Sequence, residues 1–145
     1  MNYKCPLCEM VPSSHSLQRL LEKDGIVYYY TCPSKATLYY DAKGIIAHYD
    51  GVWSEIPEEK EWIWIFDSFG FGMVHAAQTT VALNLANLIT TKYSHNLKKI
   101  IIINPTVYVR VTHSMLMPFL NTKVRELIEI NMEIKNVEEI YNFIN

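Results

Sequence analysis

No apolar run in this 145-residue chain approaches the ~20 residues needed to span a bilayer. The opening Met1-Asn2-Tyr3-Lys4-Cys5-Pro6 also lacks the apolar core of a secretory signal. These two absences lead to the expectation of a cytoplasmic chain. A basic excess is missing too. Thirteen Lys and Arg stand against 15 Asp and Glu, a formal net charge of −2. Proteins that neutralise a phosphate backbone carry the opposite balance, so nucleic acid is not an expected partner. Three Cys is an odd count, which argues against a full disulfide framework. The chain has no Gly-x-Gly-x-x-Gly, no phosphate loop and no Gly-x-Ser-x-Gly. No cofactor is expected, and an enzyme on a plain α/β sheet is disfavoured.

What is present is apolar and aromatic. Half of the residues are hydrophobic, enough for a sizeable core, and the length fits one domain spanning 1–145. Ten Tyr supply apolar bodies with polar tips, suited to pocket rims and amphipathic surfaces. The run Trp62-Ile63-Trp64-Ile65-Phe66-Asp67 ends in a carboxylate and the turn Ser68-Phe69-Gly70-Phe71. Lys98-Lys99-Ile100-Ile101-Ile102-Ile103-Asn104-Pro105 repeats the design. Two near-continuous apolar strands with a helical stretch between them form a βαβ unit, and such strands suit a parallel sheet covered on both faces.

The remaining elements follow from spacing and punctuation. Ser13-Ser14 could cap a short helix, Ser16 to Lys23, with Leu17, Leu20 and Leu21 on one face. Residues 1–24 thus read as an irregular or helical extension, broken by Asp24-Gly25. Ile26 to Cys32 reads as a strand, rich in Val and Tyr. Asp41 to Glu55 reads as a helix on the spacing of Ile45, Ile46, Tyr49, Val52 and Trp53. A long helix is expected over Val74 to Tyr93 and a strand over Lys99 to Asn104. Thr106 to Leu120 is apolar. Asn121-Thr122 caps Lys123 to Leu127 or Ile128, Glu129 to Ile134 is a last short strand, and Asn136 caps a terminal helix. The order predicts an α/β fold, a mostly parallel sheet with helices on its faces.

Three sets of residues invite chemistry. Asp67 ends a strand, where ligand sites of parallel sheets lie, but a carboxylate there also caps the following loop, and that reading is preferred. His75, His95 and His113 fall on different elements. Cys5-Pro6-Leu7-Cys8 could hold zinc if His15, Cys32 or His48 converged on it. No second Cys pair exists, so two free thiols are the default, no metal is expected, and the alternative zinc set is Cys5, Cys8, His15 and Cys32.

From Ile26 onward the chain resembles the CRAL-TRIO domain family of phosphatidylinositol-transfer, retinal-binding and tocopherol-binding proteins. Four segments carry the resemblance, in the family's order: Trp64-Ile65-Phe66-Asp67-Ser68-Phe69-Gly70-Phe71, the corner Tyr93-Ser94-His95-Asn96-Leu97, Ile102-Ile103-Asn104-Pro105-Thr106, and Met117-Pro118-Phe119-Leu120 with Lys123 following. The Asn-Pro-Thr form is similar to the BCH-type branch, whose members bind small GTPases and their regulators. Inositol-lipid members place a Glu and a Lys near the headgroup. Asn84 and Met117 stand at those positions here, so inositol-lipid exchange is not expected. The separate N-terminal helical lobe of full-length members has no counterpart in this sequence, which implies a smaller or more open pocket.

The resemblance implies a non-catalytic pocket for a hydrophobic small molecule or phospholipid, serving lipid transfer or presentation, with transient contact at membranes. A lipid tail needs a largely preformed apolar cavity. The candidate lid is Thr106 to Leu120, whose Met115, Met117 and Phe119 exceed the apolar needs of one helix face. Met adapts to varied ligands. The candidate floor is Trp64 and Phe66 with Ile101 and Ile103, and Phe69 at its edge. The alternative is a BCH-like interaction module whose pocket is filled by side chains. A homodimer through exposed apolar surface is compatible with both.

Overall fold

A computed structural model of the protein describes residues 16–36 and 41–144. The first element among these residues is β1 (Gln18–Lys23), followed by β2 (Ile26–Thr31), α1 (Ala42–Trp53) and β3 (Glu61–Asp67). Next come α2 (Met73–Ala76) and α3 (Thr79–Leu88), the latter running into a wide π-helical turn over Ile89–Tyr93. Then follow β4 (Leu97–Ile103), α4 (Val107–Leu116), a tight turn Met117–Phe119, α5 (Thr122–Leu127), β5 (Ile128–Asn131) and α6 (Val137–Ile144). Among the described residues, five strands lie side by side in chain order. β1 and β2 are antiparallel, and the pairs β2–β3, β3–β4 and β4–β5 are parallel. The expected fold class is therefore found.

The helix expected over Ser16 to Lys23 is a strand. Asp24 and Gly25 both have positive φ, 55° and 76°, which a two-residue hairpin turn with matching twist requires. Lys23 pairs with Ile26 across it. The Asp-Gly pair between two apolar runs is a hairpin signal rather than a helix stop. The long helix expected over Val74 to Tyr93 is broken at Gln78, whose backbone (φ −82°, ψ 61°) is not helical. The helix resumes at Thr79. The last strand stops at Asn131 rather than Ile134. Asn131 Oδ1 accepts from the N–H groups of Glu133 (2.8 Å) and Ile134 (3.0 Å), a side-chain turn that competes with the ladder. The helices capped by Asp41, Asn121 and Asn136 form as expected, each with its side chain accepting from the first turn.

Parity along β3 sorts the core into two layers. Trp62 and Trp64 face a cluster with Ile45, Tyr49 and Trp53 of α1, Val81 and Leu85 of α3, and Val124 of α5. Ile63 and Ile65 face the other way, against Ile101, Ile103, Ile134 and Ile140 of α6. The turn after β3 is tightly fitted. Gly70 has φ +76°, and a Cβ on it would fall 2.8 Å from both Cβ and Oγ of Ser34. Gly25 shares that φ but has nothing within 4 Å of such an atom. Both Gly→Ala changes are expected to cost about 1–2 kcal/mol for the left-handed backbone. Gly70→Ala should cost more than Gly25→Ala because Ser34, whose hydroxyl donates to Phe69 O at 2.6 Å, cannot move freely. Urea titration of the two variants checks this, and equal losses would mean that Ser34 yields.

Candidate functional site

A cavity of about 100 Å³ lies between the first sheet face and the helices α3 and α4. Its floor is Trp64 and Phe66 of β3 with Ile100 and Ile102 of β4. Parallel register explains the set: Trp64 pairs with Ile100 and Phe66 with Ile102, so all four side chains leave the sheet on one side. One wall is Ala82, Leu85, Ala86 and Ile89, the inward stripe of α3 and its extension. The other wall is Val109, Thr112, His113 and Leu116 of α4, spaced i, i+3, i+4, i+7. The start of α4 is pinned to the turn after β3. Thr106 Oγ1 accepts from Val109 N (3.2 Å) and lies 2.8 Å from Phe71 O, to which it donates.

Nearly all of this lining is apolar. Trp64 Nε1 is occupied, donating to Thr31 Oγ1 at 2.9 Å. Thr112 Oγ1 donates to Tyr108 O at 3.1 Å. His113 Nε2 is shut off from solvent and has no hydrogen-bond partner. Burial, with a smaller contribution from the Arg110 charge, holds this imidazole below its ordinary pKa, so it is neutral at pH 7.

A family model, the CRAL/TRIO domain, matches residues 39–145, well over half of the chain. The chain belongs to the CRAL/TRIO domain family. Members of that family bind lipophilic ligands and transfer them, and are generally non-catalytic. The crystal structure of Sfh5 is similar, with a TM-score of 0.66 at 8% identity over 79% of this chain. At that identity the likeness speaks to the fold. The match spans 48% of the Sfh5 chain, about half its length. No curated protein matches. The match is to the family as a whole and does not single out the BCH-type branch.

Within this CRAL/TRIO fold, the residues expected at the pocket part company. Trp64 and Phe66 line the cavity. Ile101 and Ile103 do not, since they pair with Ile65 and Asp67 and emerge on the opposite face. Phe69 is two-thirds exposed in the turn, and Phe119 is 62% exposed. Met117 packs at the edge of the large core cluster, and half-buried Met115 lies off the cavity stripe. Helical spacing from Val109 reaches Thr112, His113 and Leu116 and passes over 115 and 117. That spacing, Val109 to Leu116, was the available signal for the missed residues. Asn84 is exposed on α3.

Asp67 is 4% exposed and fully engaged. Its Oδ1 accepts from Phe69 N and Asn104 Nδ2, both at 3.0 Å, and its Oδ2 accepts from Tyr30 OH at 2.5 Å. The carboxylate joins β2, the turn after β3 and the end of β4. Burial, and then Asp67, push the Tyr30 phenol well above its ordinary pKa. Tyr93, the expected corner tyrosine, is buried and donates to the Asp50 carboxylate. His75 Nδ1 accepts from Gly72 N at 3.0 Å, and His95 O accepts from Lys123 Nζ at 3.2 Å, so the three histidines serve separate elements. Cys5, Cys8 and His15 lie outside the described residues. Cys32 is buried, its Sγ 3.4 Å from Ser34 Oγ. Among the described residues no group of three His, Cys, Asp or Glu could hold a metal ion, and no helix is long and apolar enough to cross a membrane.

Proposed function

We propose that this chain binds a hydrophobic, lipid-type ligand without catalysis, for transfer or presentation, in the cavity between β3–β4 and the helices α3 and α4. The observation that carries the reading is the apolar wall around that cavity, with Thr112 and His113 as its polar exceptions. Each ligand CH₂ taken from water into such a wall contributes ~0.8 kcal/mol. At about 100 Å³ the cavity is smaller than the ~300–1,000 Å³ of typical ligand pockets. A long ligand would therefore enter by outward displacement of α4. The exposed Val107, Val111 and Phe119 would then meet a membrane during transient contact.

The small volume also favours a second reading, an interaction module whose pocket is closed by its own side chains. Its partner would be a protein such as a small GTPase or its regulator, or a second copy of the chain. Native mass spectrometry of gently purified protein, with uptake of a fluorescent acyl probe, separates the two. The lipid reading expects an adduct or saturable uptake. Ala86→Phe, which projects a ring into the cavity, is expected to weaken uptake by roughly tenfold or more, the equivalent of losing room for two methylenes. No adduct and no uptake would leave the interaction module standing.

A further inference from the structure

A second, polar cleft of about 500 Å³ opens on the α6 face of the sheet and shares no lining residue with the apolar cavity. Its base is Tyr30 and Asp67, at the carboxyl ends of β2 and β3, where parallel sheets commonly place ligands. Lys35 and Phe69 come from the segments that follow those strands. Lys135 and Glu138 come from the entry into α6. The volume falls within the ~300–1,000 Å³ of typical ligand pockets.

The backbone around this cleft is held in place. Phe69 N donates to Asp67 Oδ1 at 3.0 Å, and Phe69 O accepts from Ser34 Oγ at 2.6 Å. Lys135 O accepts from Asn104 Nδ2 at 2.8 Å, and Lys135 N donates to Glu139 Oε2 at 2.7 Å. The Phe69 side chain stays two-thirds exposed on that fixed turn. A frame that is already ordered lowers the entropic cost of binding.

The charges that border the cleft do not neutralise one another. Among the described residues, Lys35, Lys135 and Glu138 take part in no salt bridge. Lys135 Nζ donates to a carbonyl, Met132 O, at 2.6 Å. Asp67 accepts three hydrogen bonds, all from neutral donors: Tyr30 OH, Asn104 Nδ2 and Phe69 N. A simple anion entering the cleft would meet Asp67 and Glu138, and a simple cation would meet Lys35 and Lys135. Juxtaposed like charges cost free energy. A small molecule that carries both signs answers both pairs, and an apolar side chain on it covers the exposed Phe69 ring.

We propose that this cleft binds a small zwitterion of amino-acid type with an aromatic or other apolar side chain. The ligand carboxylate engages Lys35 and Lys135, its ammonium engages Glu138 above the Asp67 base, and its side chain packs on Phe69. The site lies apart from the apolar cavity and does not depend on the lipid reading.

The test titrates the full chain with L-phenylalanine and follows amide shifts by NMR. Two analogues each lack one charge: hydrocinnamate has no ammonium, and phenethylamine has no carboxylate. Phenylalanine should bind about tenfold more tightly than either, the size of one charged hydrogen bond. It should shift the amides of Phe69, Lys135 and Glu138. Lys35→Gln should weaken phenylalanine and hydrocinnamate while sparing phenethylamine. Glu138→Gln should weaken phenylalanine and phenethylamine while sparing hydrocinnamate. Both residues are exposed, so both variants should fold. Equal affinity for phenylalanine and hydrocinnamate would reduce the cleft to an anion site and overturn the proposal. Tighter binding of phosphocholine, a lipid-headgroup zwitterion, would overturn the amino-acid assignment. No shift at these amides with millimolar phenylalanine would overturn the site, whatever the acyl probe shows at the apolar cavity.

Discussion

Trp53→Ala is expected to destabilise the protein by about 3–5 kcal/mol, the range for truncating a fully buried large aromatic side chain. Trp53 is 0% exposed. Its ring centroid lies 4.8 Å from that of Trp62, 5.2 Å from Trp64, 5.3 Å from Tyr49 and 5.7 Å from Tyr93. With Ile45 and Tyr49 it forms the i, i+4, i+8 stripe by which α1 docks on the sheet. The edge-to-face pairs with Tyr49, Trp64 and Tyr93 contribute beyond their buried area. Domains of this size are stable by roughly 5–15 kcal/mol, so the variant should be largely unfolded in moderate urea. Trp53→Phe should lose much less, since its ring keeps most of the contacts. A urea titration giving less than about 1 kcal/mol for Trp53→Ala would show that α1 is not anchored through this residue.

Asp67→Ala is expected to cost about 3 kcal/mol or more. The substitution removes one acceptor group and strands three donors, Tyr30 OH, Asn104 Nδ2 and Phe69 N. Leaving buried donors unsatisfied costs roughly 1–3 kcal/mol, and breaking a buried charged contact lies higher still. Asp67→Asn should recover part of the loss, because its Oδ1 can still accept from the turn. Thermal melts of the two variants check the order. An Asp67→Ala protein as stable as the natural one would mean that the carboxylate serves something other than the joint, and would reopen its candidacy as a reacting group.

Much of this was legible beforehand. Continuous apolar runs ending in Asp67 and Asn104, with a helical stretch between them, called for parallel strands, and β3 and β4 are parallel. Four short segments in order, from Trp64-Ile65-Phe66-Asp67 to Met117-Pro118-Phe119-Leu120, pointed to the family whose model matches residues 39–145. Asn136 and Asn121 announced the helices that they cap. Local chemistry decides such features, so local residues reveal them. Asp24-Gly25 is equally local, but its signal is ambiguous, because Leu17, Leu20 and Leu21 also fit helical spacing.

The cavity was less legible, and β4 shows why. Ile100, Ile101, Ile102 and Ile103 are chemically identical, so nothing in the run says which pair faces the helices. Pairing with β3 decides it, and that pairing slips between Trp62, opposite Leu97, and Ile63, opposite Lys99. One residue of slip exchanges the faces of the whole strand. Hydrophobic patterning and cap residues act over a few positions, and they are enough to specify a parallel, doubly covered apolar sheet. Packing between distant segments selected Ile100 and Ile102, rather than Ile101 and Ile103, to meet α4. It also decided that His113, rather than Met115 or Met117, turns into the space between them. Register and helix rotation depend on contacts between segments about 35 to 50 residues apart along the chain, and no local pattern encodes them.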